Sequence, residues 1–138
     1  MEGKKIKDLS IGDQDFFTKT ITDADVLLFA GVSGDLNPMH IDETYAQKSI
    51  FKKRVVHGGL VNSLFSTVLG TKLPGNGTIY MRQDSKFIKP VFIGDTIKAV
   101  CEVAEINEEK NRVVLNTTAY NQDGVAVIVG TALVMPPR

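Results

Sequence analysis

Two short segments hold the side chains best suited to acid–base chemistry. Asp35 and His40 lie in Gly34-Asp35-Leu36-Asn37-Pro38-Met39-His40, and the second of the two histidines, His57, opens His57-Gly58-Gly59. A carboxylate and an imidazole on one irregular, turn-rich segment can converge on a point, hold a water and exchange a proton near neutral pH. Asp35 can equally brace a turn, and His40 can be a satisfied histidine beneath a helix. Gly58 and Gly59 open a helical run, where the first N–H groups have no helical partner. Such an N–H, unobstructed by a side chain, can receive negative charge developing on a carbonyl oxygen. The same glycines can also simply permit close packing. Ser66, on the same run, can orient a histidine or bond to the carbonyl four residues back.

Other chemistries find less support. Two histidines and one cysteine, none at metal-ligand spacing, argue against a zinc site. Gly75-Asn76-Gly77 lacks the strand before and helix after that a dinucleotide fingerprint requires. Ser66 is not embedded in a Gly-x-Ser-x-Gly nucleophile elbow. The basic run Lys52-Lys53-Arg54 is either a solvated connector or a phosphate contact. Sixteen basic and sixteen acidic residues cancel, which removes any long-range pull toward nucleic acid or an anionic membrane. Cys101 has no partner for an intrachain disulfide and reads as a buried thiol in a reducing compartment. No apolar run approaches the ~20 residues of a membrane span, and no signal-peptide core follows the Lys-rich start. A cytoplasmic protein is expected.

These residues need elements to hold them. Residues 1–12 are polar and read as partly loose, and Gln14 to Lys19 as a brief strand. Thr22 can cap a helix with Asp23 and Asp25 in its first turn, and Gly34 ends it, leaving Asp35 in irregular backbone. Asp42 can cap a short helix over Glu43 to Lys48, with Tyr45 and Ala46 inward. In His57 to Leu69, apolar Leu60, Val61, Leu64, Phe65, Val68 and Leu69 recur at helical spacing with small residues between them. That pattern fits a central helix. Thr78 to Ile88, Thr96 to Ile106, Arg112 to Tyr120 and Val125 to Met135 alternate as strands, read as joined by hairpins. The economical arrangement is α+β, an antiparallel sheet wrapped on one long helix in a single domain over 1–138.

The chain resembles the MaoC-like family of R-specific enoyl-CoA hydratases. The residues that carry the likeness are Gly34 to His40 with Asp42 and Tyr45-Ala46, then Val55-Val56-His57-Gly58-Gly59-Leu60, Gly77-Thr78-Ile79-Tyr80 and Phe87 through Thr96. The resemblance implies a hot-dog fold with His57 to Leu69 as its central helix. It implies a homodimer with a continuous sheet and an acyl-CoA tunnel near the interface. It also implies hydration of a trans-2-enoyl-CoA to the (R)-3-hydroxyacyl-CoA, with no cofactor beyond the substrate's own coenzyme A. In that scheme Asp35 and His40 activate the water and transfer its proton, supported by the Asn37 turn. The Gly58 N–H holds the thioester oxygen, Ser66 orients the histidine, and Leu69 and Val134 line the acyl pocket.

Two positions depart from the family pattern. Gly59 stands where many relatives carry Met or another bulky residue. Arg82 stands where they often have a small one, and it joins Lys52, Lys53 and Arg54 as a candidate contact to the CoA phosphates. Two other functions fit the same fold. One is an acyl-CoA-binding protein without turnover. The other is a thioesterase, disfavoured because His57 to Leu69 holds no carboxylate of the kind such enzymes carry on their central helix.

Overall fold

The computed structural model describes residues 1–138. Five strands form one antiparallel sheet: β1 (Gln14–Thr20), β2 (Ile79–Phe87), β3 (Thr96–Asn107), β4 (Arg112–Tyr120) and β5 (Ala126–Met135), in the order β1-β3-β4-β5-β2. Alternation dictates which face is buried. On β3, Ile97, Ala99, Cys101 and Val103 point inward, and on β4 Val113, Leu115, Thr117 and Ala119 do the same. The helical layer covers that face. Phe65, Val68 and Leu69 are fully buried in a core cluster of 22 residues, each side chain contributing roughly 1.5–3 kcal/mol of burial. This is the α+β arrangement expected from the pattern and the hot-dog fold implied by the resemblance.

The helices are α1 (Asp23–Ser33), α2 (Pro38–Ile41), α3 (Glu43–Gln47), α4 (Gly58–Asn62) and α5 (Leu64–Thr71). The single run expected over His57 to Leu69 is broken at Ser63. Its N–H is shared between the carbonyls of Gly59 and Leu60, and its hydroxyl donates to Leu60 O at 2.6 Å. A serine that bonds back three residues tightens the turn and competes with the regular ladder. On α3, Ala46 is buried as expected, but Tyr45 is exposed.

Only β3–β4 and β4–β5 are hairpins. After β2 the chain crosses from one edge of the sheet to enter between β1 and β4. Bonds along the way hold this crossover: Val56 donates to Val91 O at 2.7 Å, Val55 bridges Phe92, and Ile21 donates to Asp95 O at 2.9 Å. The crossover thus braces the strand-like residues 55–56 that precede α4. Residues 1–12 make defined contacts. Gly3 and Lys4 donate to the carbonyls of Asn76 and Pro74, Ile6–Asp8 form a 3₁₀ turn, and Leu9 is buried. No helix is long and apolar enough to cross a membrane.

Candidate active site

Local backbone chemistry delivers Asp35. Thr22 and Asp25 form a reciprocal capping box at the start of α1. The helix ends on Gly34 with φ of 79°, a left-handed conformation glycine adopts without a Cβ penalty. The Asp35 N–H then donates to Ser33 Oγ at 3.1 Å, and Asp35 Oδ1 accepts the Asn37 N–H at 3.2 Å. Asn37 Oδ1 in turn accepts the Met39 N–H at 3.2 Å and caps α2, with Pro38 at its first position and His40 on its last turn. One carboxylate oxygen is therefore spent on the turn. The other, Oδ2, faces His40 Nε2 at 3.9 Å.

That separation is too long for a hydrogen bond and short enough for one oxygen atom to touch both groups. His40 Nδ1 lies 2.7 Å from the Val55 carbonyl. A carbonyl only accepts, so Nδ1 donates to it, and in the neutral imidazole the Nε2 lone pair is directed toward Asp35. The site is asymmetric. Only 13 % of the His40 side chain is exposed, against 48 % of Asp35. The third residue of the cluster is His57, 2 % exposed, whose Nε2 is 3.0 Å from the Asp35 backbone oxygen. Its ring stacks on that of His40, with centroids 3.8 Å apart and an interplanar angle of 28°.

Asp35, His40 and His57 each offer a ligand atom within 4.8 Å of the others. The set does not fit a metal ion well. The stacked rings present their in-plane lone pairs side by side rather than toward a common centre, and one oxygen of Asp35 already accepts the Asn37 N–H.

Beside this cluster is a cavity of about 500 Å³, lined mainly by apolar residues that include Val55, Gly58, Val61, Phe87 and Ile128. Asp35 and His40 do not line it, but Val55, which holds His40, and Gly58, which follows His57, do. Gly58 is the first residue of α4, so its N–H has no helical acceptor. A Cβ there would sit 2.9 Å from the Phe87 ring.

Several expected roles are not met by the geometry. Ser66 is exposed on α5, and its hydroxyl makes no hydrogen bond within the chain; Val55 O occupies the position beside His40 Nδ1. Leu69 and Val134 are buried in the core and do not line the cavity, because the side of α5 that carries Leu69 packs on the sheet. Arg54 is a strut rather than a free cation: its Nε donates to His40 O and its terminal nitrogen to Asp23 Oδ1, both at 2.6 Å. Lys53 lies over the Phe92 ring at 4.2 Å. Lys52 and Arg82 are exposed, Arg82 opposite Leu133 on the edge strand. The basic residue that does line the cavity is Lys89. It lies two residues beyond the end of β2 and directly before Pro90, within the Phe87 to Thr96 segment that carries the family likeness.

Residues 12–125 match the MaoC like domain family. An (R)-specific enoyl-CoA hydratase of Rhodospirillum rubrum is 46% identical over 131 residues, covering 95% of this chain and 90% of the relative. The solved structure of an (R)-hydratase from Aeromonas caviae involved in PHA biosynthesis superposes with a TM-score of 0.91 at 40% identity, covering 94% of this chain and 98% of the other. An unliganded R-hydratase from Pseudomonas aeruginosa gives 0.94 at 42% identity, covering 99% and 87% respectively. The matches to these three proteins cover 87% or more of each chain, and the chain belongs to the MaoC-like hot-dog family, as a close relative of its (R)-specific enoyl-CoA hydratases.

Proposed function

We propose that this protein hydrates trans-2-enoyl-CoA thioesters reversibly to (R)-3-hydroxyacyl-CoA. The observation that carries the reading is the 3.9 Å separation of Asp35 Oδ2 and His40 Nε2, with His40 Nδ1 held by the Val55 carbonyl. A water held between them has an acceptor on each side. As its oxygen bonds to the β-carbon, the pair takes its proton, and a proton is returned to the α-carbon. The electron pair displaced from the double bond moves onto the thioester oxygen in an enolate-like state. The N–H of Gly58, which opens α4 and lines the cavity, is the donor for that oxygen. One such donor is worth ~3 kcal/mol in the transition state.

The acyl-CoA occupies the apolar cavity, with Lys89 at its wall available to a phosphate. A homodimer supplies the remaining walls. β2 is an edge strand with an unpaired outer side, and Ile79, Tyr80, Met81 and Phe87 on it are exposed. A reducing, cytoplasmic setting suits the one buried, unpaired thiol at Cys101.

Loss of enoyl absorbance with crotonyl-CoA tests the reading directly. The native protein turns over and forms the R alcohol, while Asp35→Asn and His40→Ala each lose at least about a hundredfold in kcat. Native-like rates in both variants, or an S product, would refute it. Release of free CoA would identify a thioesterase instead.

A further inference from the structure

We propose that His57 is a positioning residue for the Asp35–His40 pair, acting chiefly through its Nε2–H, with its ring face the lesser contribution. The inference rests on the hydration reading above.

The ring of His57 is 2 % exposed, and its Nδ1 is buried with no hydrogen-bond partner. A phenylalanine would fill the same slot without an unpaired nitrogen, so packing alone does not account for an imidazole here. The nitrogen that is used, Nε2, lies 3.0 Å from the backbone oxygen of Asp35. Because that oxygen can only accept, Nε2 carries the proton and Nδ1 the lone pair.

That bond has no substitute. The other bonds to Asp35 come from Ser33 and Asn37, two residues away on either side, and Leu36 next to it is exposed. Apart from the facing imidazole of His40, His57 is the one side chain from outside residues 33–37 that holds Asp35 itself. It fixes its orientation too, since holding the Asp35 carbonyl sets the peptide plane from which the side chain departs. The same ring stacks on His40 at 3.8 Å. Acid and imidazole are thus held by one side chain, the acid by an N–H and the imidazole by a ring face.

Two neighbours hold His57 in turn. Phe29 packs on it with centroids 4.9 Å apart, and a Cβ at residue 59 would lie 3.1 Å from the tip of Phe29. Gly59 therefore leaves the room in which Phe29 presses on the imidazole. His57 is also the residue before Gly58, so the ring and the proposed oxyanion N–H share a peptide link at the start of α4.

His57→Phe keeps the ring and removes the donor. His57→Gln keeps a donor at the same number of bonds from Cβ and removes the ring. In enoyl-CoA hydration, His57→Phe is expected to lose at least about tenfold in kcat with KM within about twofold, as misplacement of a reacting group does. His57→Gln recovers most of that loss. A His57→Phe rate within about threefold of native overturns the proposal, as does a His57→Gln variant as slow as His57→Phe. A second measurement needs no variant. Long-range ¹H–¹⁵N correlation on the native protein reports which ring nitrogen is protonated: Nε2–H supports the assignment, and Nδ1–H overturns it. If the native protein fails to hydrate any enoyl-CoA, the function falls, and the tautomer still decides the geometry. If Asp35→Asn is inactive and His57→Phe is not, this proposal alone falls.

Discussion

The Phe87 ring lies where a side chain on Gly58 would begin, 2.9 Å from the position of its Cβ. The ring is more than half exposed and forms part of the cavity wall. It can swing away, but only by reshaping the cavity. Gly58→Ala is therefore expected to fold with a stability within about 1 kcal/mol of native. Its kcat/KM for enoyl-CoA falls at least about tenfold as the N–H and the wall shift together. Adding Phe87→Leu restores part of that loss, and steady-state kinetics on both variants provide the check.

Gly130 gives the opposite outcome for a similar exchange. A Cβ there would sit 1.9 Å from the backbone oxygen of Asp84 on the paired strand. Backbone in a ladder cannot swing aside, so Gly130→Ala forces β2 and β5 apart. A loss of about 3 kcal/mol in urea unfolding is expected. A change under about 1 kcal/mol would contradict the close approach.

Arg54 and Lys89 separate two uses of positive charge. Arg54 bonds the His40 carbonyl and the Asp23 carboxylate, whereas Lys89 lines the cavity. Arg54→Ala is expected to lower kcat and cost about 1–2 kcal/mol of stability, with KM little changed. Lys89→Ala is expected to raise KM about three- to tenfold, more so at low salt, with kcat retained. A raised KM in the Arg54 variant would return that residue to the CoA phosphates.

Asp25 ties stability to acid pH. The Thr22 N–H, donated to its carboxylate at 2.9 Å, holds its pKa below the ordinary value, with the Lys19 ammonium at 3.1 Å assisting against a smaller opposing effect of burial. A depressed native pKa means stability that is present above the unfolded value of about 3.9 and lost as pH falls through the native one. Native protein should exceed Asp25→Asn in urea midpoint at pH 7. The gap should close as the pH drops below about 4. An unchanged gap at pH 2 to 3 would show that the charge is not responsible.

Burial pushes the Cys101 thiol up to about 12, with the charge of Asp15 opposite it on β1 adding to the shift. The thiolate is the reactive form. Ellman's reagent at pH 8 should find no thiol in the native protein and one after unfolding in guanidinium.

The legible parts of this molecule were the local ones. Thr22, Gly34 and Asp42 act on backbone within a few residues, so α1, the irregular backbone at Asp35 and α3 follow from type and spacing, whereas α2, a single turn after Asn37, does not. Strand alternation marked β3, β4 and β5 to within a residue or so. Which strand pairs with which is non-local: a Pro- and Gly-bearing link after β2 looks the same whether it turns back or crosses the sheet. Helical spacing placed Ser66 on a face without saying what that face meets. Arg54 stood out as charge next to two lysines, and nothing nearby shows that Asp23, thirty-one residues earlier, is its partner. His57 was visible as a histidine before two glycines. Its stacking on His40 depends on the crossover that braces Val55 and Val56.

Both imidazoles of the site take their orientation from peptide oxygens, His40 from Val55 and His57 from Asp35. No side-chain substitution deletes a peptide oxygen. An alanine scan across residues 53–57 would register Val55 as apolar filler, although its carbonyl sets which nitrogen of His40 faces the reaction. Replacing the amide that follows Val55 with an ester weakens that oxygen as an acceptor and leaves every side chain in place, at the cost of the Val56 N–H that donates to Val91 O. Backbone chemistry of this kind, by protein semisynthesis, is the mutagenesis to which this part of the molecule responds.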